Sequence, residues 1–184
     1  MRHQIEAPMA RHLRFLGLTL GFLFTAWIGT AAPSDHPVGI DVIWAYAGTW
    51  DIEIDHFDTA NRKASHEKTV LRNDCWKSGG YVACNQYVNG ESKVLIVFTF
   101  DPRTNIYTSY QVPPDGSAAR SGTLSIEGNT WTFPWQSKDE DKTTYFRVVN
   151  VFTAPDRIEF RQEFSTDRVH WILMAKGMEK KISG

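Results

Sequence analysis

From residue 48 to the C-terminus, turn signals break the chain at intervals of roughly 10–14 residues. They read "SGG", "NGES", "DPRTN", "PPDGS", "EGN", "TAPDR" and "STDR". Gly and Asn accept the positive φ that tight turns require, and Pro presets φ for them. The segments between are rich in Val, Ile, Thr, Phe, Tyr and Trp and alternate with polar residues. This rhythm predicts ten strands, near 48–57, 64–74, 81–88, 93–100, 105–112, 119–127, 129–136, 142–153, 157–164 and 168–178. Short links favour antiparallel hairpins in simple order. Left open, such a sheet would expose two unpaired edges, and closure into an up-and-down barrel removes them. A β-sandwich is the main competitor, but its long crossover connections are not evident.

The faces of the strands agree with one buried side. In "DRIEFRQEFS", Glu159, Arg161 and Glu163 alternate with Ile158, Phe160, Gln162 and Phe164. "WTFPW" sets Trp131, Phe133 and Trp135 on one side, and Pro134 between them predicts a bulge or a strand edge. Ahead of the first strand, "VGIDVIWAYA" carries Ile40, Ile43, Trp44 and Ala47 at helical spacing, which predicts a short helix capping one end of the barrel.

The N-terminus speaks for compartment. Arg2, Arg11, His12 and Arg14 precede the apolar run "FLGLTLGFLFTAWI", which ends in "GTAA". These are the parts of a secretory signal, with Gly29 and Ala31 at the cleavage positions and either Met1 or Met9 as the start. The run is short for a membrane span, which needs about 20 residues. The expected organisation is a signal peptide over 1–31, a flexible leader over 32–39 and one barrel domain over 40–180. The expected location is periplasmic or extracellular, with no stable membrane insertion after cleavage. The chain has a formal net charge of −1 and no basic block, which argues against nucleic acid as a partner.

Export changes the meaning of the two cysteines, both in "CWKSGGYVAC". Their spacing matches neither zinc sites nor the two-residue redox motif. A two-residue turn at Gly79-Gly80 instead sets Ser78 opposite Tyr81 and, counting outward, Cys75 opposite Cys84. That count gives a non-hydrogen-bonded, closer pair, whose Cα spacing near 4.5 Å suits a disulfide. An oxidising compartment favours the bond.

A short apolar helix leading into "AGTWDIEI" resembles the opening of the lipocalins, of the calycin superfamily, where a Gly-x-Trp starts the first strand. Gly48 and Trp50 are those residues here. The resemblance implies that Trp50 sits at the closed end under a basic residue of the last strand, for which Lys176 is the positional candidate. A closer resemblance is to uncharacterised secreted bacterial lipocalin-like proteins. These share the signal, the "GTW" opening, a "CW…GG…C" hairpin followed by "VNG", and a "GNTWTFPW"-type strand. That likeness implies a lipocalin or fatty-acid-binding-protein-like barrel and no particular activity.

Catalytic signatures are not found: there is no Gly-x-Ser-x-Gly, His-Glu-x-x-His, P-loop or dinucleotide fingerprint. "SKDEDK" reads as a solvated loop rather than a calcium site. His56 follows Trp50, Ile52 and Ile54 at a spacing of two and is predicted to point inward; His66 and His170 fall mid-strand with ambiguous facing. No spacing among them argues for a metal, and no cofactor is expected. The aromatics are the surplus. Trp50, Tyr107, Tyr110, Trp131, Phe133, Trp135, Phe160 and Trp171, with His56 and Gln162, are the candidates to line the lumen. Such residues also fill a core in a narrow barrel. Three functions therefore stand open: a carrier of a small hydrophobic or amphipathic molecule, a barrel enzyme using a histidine as base, and an envelope interaction protein with a filled core.

Overall fold

A computed structural model of the chain describes residues 39–60, 62–139 and 141–184. The expected signal segment, and the leader through residue 38, lie outside the described residues. The predicted ten strands are present: β1 (Gly48–His56), β2 (Ser65–Ser78), β3 (Tyr81–Val88), β4 (Glu91–Asp101), β5 (Ile106–Val112), β6 (Arg120–Glu127), β7 (Thr130–Asp139), β8 (Lys142–Ala154), β9 (Arg157–Ser165) and β10 (Ile172–Ser183). Each pairs antiparallel with its sequence neighbours, and β1 pairs with β10, so the sheet is a closed up-and-down barrel. The sandwich alternative falls with that closure.

The last strand departs from expectation, beginning at Ile172 rather than 168 and running to Ser183. The Asp167 Oδ1 carboxylate oxygen accepts the backbone N–H groups of Val169 and His170, and Ser165 Oγ accepts those of Asp167 and Arg168. Arg168 sits at a φ of 64°. Side-chain acceptors thus take the donors a ladder would need and hold this segment as a loop.

The segment before β1 is a 3₁₀ helix, Ile40–Tyr46, rather than an α-helix. A three-residue period brings Ile40, Ile43 and Tyr46 to one side. Ile43 and Tyr46 are accordingly buried, and Trp44, which the α-helical period grouped with the core, is 39% exposed. Tyr107 Oη both donates to the Gly39 carbonyl and accepts from its N–H, at 3.1 Å each, and Lys77 pairs with Asp41. These bonds fix the helix across the barrel end where β1 begins.

At the hairpin between β2 and β3, Cys75 stands opposite Cys84 and the two are disulfide-bonded, with Cα atoms 4.0 Å apart. Of the two turn glycines, only Gly79 has a positive φ, 55°. Positive φ at the first central position alone is the pattern of a type II′ turn.

The barrel wall has one weak seam. β6 and β7 share three residue pairs, Ser125–Thr132, Ile126–Trp131 and Glu127–Thr130, whereas β7 pairs with β8 along its whole length. Beyond Thr132 the β6 ladder stops, and Pro134 falls there, where no bond to β6 asks for the N–H it lacks. The predicted strand edge therefore exists inside a closed barrel. Among the described residues, no helix is long and apolar enough to cross a membrane.

Candidate functional site

Alternation decides what the lumen holds. Inward positions toward the helix end carry Trp50, Ile52, Val82, Phe98, Tyr107, Leu124, Trp131, Ile158 and Phe160, which with Ile43 and Tyr46 form one buried cluster. Tyr46 meets Trp131 edge-on with centroids 4.8 Å apart. Above this cluster the barrel is not filled. A cavity of about 1130 Å³ runs between the walls, slightly larger than most small-molecule sites.

Its floor is polar. Tyr46, Asn73, Asn150 and Glu179 line it there, with Gln86 and Ser109 on the wall beside Phe98, Ile96, Phe133, Phe146, Val148 and Cys84. A hydrogen-bond relay fixes Tyr46. Its carbonyl accepts from Trp50 Nε1 and Asn73 Nδ2, both at 3.1 Å, Asn73 Oδ1 accepts from Gln86 Nε2, and Asn150 Nδ2 donates to the phenolic oxygen. Arg120, Ser121, Gly122 and Thr123 of β6 and Pro134 to Lys138 of β7 also line the cavity, so its mouth lies along the seam where the two strands part.

Glu179 occupies an inward position on β10 between Ile52 of β1 and Ile158 of β9. Burial pushes its carboxyl up to about 7. Tyr46 is held well above its ordinary value, first by burial and then by the negative charge of Glu179, with the Asn150 hydrogen bond opposing. Among the described residues, Glu179 Oε2 and Asn150 Oδ1 are buried side-chain oxygens without a hydrogen-bond partner. Buried acceptors left unmade are costly, so two at one cavity floor are notable.

The predicted lumen residues divide. Phe133 and Trp135 line the cavity, and Trp135, at the rim, stacks on Phe146 with centroids 5.3 Å apart. Trp50, Tyr107, Trp131 and Phe160 are inward but belong to the packed layer beneath. Gln162 occupies an inward position between Val148 and Ala175. Two placements are corrected. Tyr110 lies three residues from Tyr107, hence on the opposite face, and is 43% exposed. Trp171 precedes β10 and covers Arg147 on the outer wall, the guanidinium 3.9 Å from its ring.

The histidines do not converge. His56 sits at the far end of β1 with its side chain buried and Nε2 3.3 Å from Glu67. His66 pairs with Asp55 on the outer face, a contact that lowers the Asp55 carboxyl. His170 is in the loop after β9 rather than mid-strand, where its ring and backbone hold Asp167 far below the usual carboxylate range. Among the described residues, no group of three or more His, Cys, Asp and Glu is placed to hold a metal.

The Gly-x-Trp feature is explained by contacts. Gly48 has a φ of 113°, and a Cβ there would stand 2.4 Å from the Ser183 carbonyl oxygen of β10. Trp50 is fully buried, and a basic residue of the last strand does lie over it, but it is Lys181, 4.9 Å from the ring centroid. Lys176 instead faces outward, 5.8 Å from the ring of Phe57. The late start and end of β10 put Lys181, rather than Lys176, at the closed end.

Fold and site together define a closed ten-stranded antiparallel barrel with a polar-floored cavity. No family model and no curated protein matches the chain. Among solved structures, Rv2717c from M. tuberculosis is similar at a TM-score of 0.47 and 8% identity, over 79% of this chain and 98% of that one.

Proposed function

We propose that the protein is an exported, lipocalin-like carrier that binds a small amphipathic molecule in the barrel lumen. The observation that carries this reading is the cavity of about 1130 Å³, apolar in its walls and polar at its floor. Apolar surroundings with a few fixed polar groups are how small-molecule sites are usually built. A lumen of this size speaks against an interaction protein with a filled core. The scattering of His56, His66 and His170 gives a histidine-based enzyme no assembled site. The Cys75–Cys84 bond supports an oxidising location, in line with the signal-like N-terminus. The Gly48, Trp50 and Lys181 arrangement at the barrel end supports the lipocalin-like class.

The test is a titration of the purified barrel with dodecanol, dodecanoate and dodecylammonium, read by tryptophan fluorescence, since Trp135 stands at the cavity rim. Saturable binding of at least one, abolished by filling the wall with Ser109→Phe in a protein of unchanged circular dichroism, is the expected result. Failure to bind any of the three, or binding indifferent to the filled wall, overturns the carrier.

A further inference from the structure

We propose that the cavity floor is a recognition site for the ammonium or amidinium head of the ligand, with Glu179 as its counter-ion and Asn150 as a second acceptor. This inference rests on the carrier reading and names the chemistry of its ligand. Glu179 Oε2 and Asn150 Oδ1 are both buried, both belong to residues lining the same cavity floor, and neither has a partner. Two orphaned acceptors call for donors, and a primary ammonium offers three donors and no acceptor.

The groups around the carboxyl leave it unanswered from within the protein. Its neighbours on the flanking strands are Ile52 and Ile158. From the helix comes Tyr46, whose phenolic oxygen accepts from Asn150 and which makes no hydrogen bond to Glu179 Oε2. The next inward residue on its own strand is Lys181, which lies over Trp50, and among the described residues Glu179 Oε2 has no partner. Burial alone accounts for the raised carboxyl, with no compensating charge. A buried carboxylate without a partner is expensive, and a cation arriving with the ligand removes that expense while forming charge-assisted hydrogen bonds. The opposite end has the opposite polarity, because Arg120 and Lys138 stand at the mouth. A cationic head is therefore favoured at the floor over the rim.

The test compares dodecylammonium, dodecanol and dodecanoate at pH 8, below micelle-forming concentrations, on the intact protein and on Glu179→Gln. Dodecylammonium is expected to bind about tenfold tighter than dodecanol, whose tail is the same. Glu179→Gln is expected to weaken dodecylammonium about tenfold and to leave the other two within about threefold. An ammonium no tighter than the alcohol overturns the inference, and that comparison needs no variant. Equal weakening of all three by Glu179→Gln overturns it as well. In both cases the alcohol still binds and the carrier reading stands, whereas no binding by any of the three removes both.

Discussion

Glu179 makes stability depend on pH in a direction opposite to that of most carboxylates. In the folded protein burial raises its carboxyl to about 7, from an ordinary value of 4.5. Below pH 4.5 the group is protonated in both states and contributes no difference. Between 4.5 and 7 the unfolded chain ionises and the folded chain does not, so stability falls as pH rises; above 7 the full loss is present. At about 1.4 kcal/mol per pH unit, the rise from 4.5 to about 7 corresponds to roughly 3 kcal/mol at pH 8. Glu179→Gln keeps the shape and removes the titration. Urea unfolding of both proteins at pH 5 and pH 8 isolates the effect, because the other carboxylates cancel in the comparison. The variant should gain about 2–3 kcal/mol on the parent between the two pH values. A difference that stays constant with pH, or that favours the parent more at pH 8, would refute the reasoning.

Two further substitutions test the frame around the site. Replacing Cys75 and Cys84 together by alanine opens the β2–β3 hairpin, and loss of a loop this short should cost about 2.5–3 kcal/mol in urea unfolding without reductant; a variant as stable as the parent would show that the bond adds nothing. Gly48→Ala forces a side chain into a positive φ and against the Ser183 carbonyl, and should destabilise by about 1–3 kcal/mol. An unchanged melting temperature would mean that the β1–β10 closure yields easily there.

Much of the barrel was legible because turn chemistry is local. "VNGE" places Asn89 and Gly90 at positive φ, as a hairpin requires, and the Gly79 turn fixes the disulfide register by counting. What failed was whatever depends on side chains competing with the ladder. Asp167 and Ser165 capture backbone donors and delay β10, and that shift hid the pairing of Lys181 with Trp50. The floor of the site was illegible for a related reason. Glu179 reads as a solvent-facing residue in "AKGMEKK", and only the register of β10 against β1 turns it inward beside Ile52. Tyr46 is hidden by an α-helical period, which groups Ile43 with Trp44, whereas a three-residue period aligns it with Ile43. The outward face of Tyr110 is legible in the sequence itself, since an odd separation from Tyr107 within one strand reverses the face.

The central claim is that the lumen above Tyr46 receives a ligand. A crystal structure of the protein with a terminally brominated dodecylammonium, read by bromine anomalous scattering, tests it most directly. One bromine peak is expected within the cavity bounded by Phe133, Trp135 and Phe146, with the nitrogen beside Glu179 and Asn150. Bromine found only on the outer wall, or a lumen unchanged by saturating amphiphile, would contradict it.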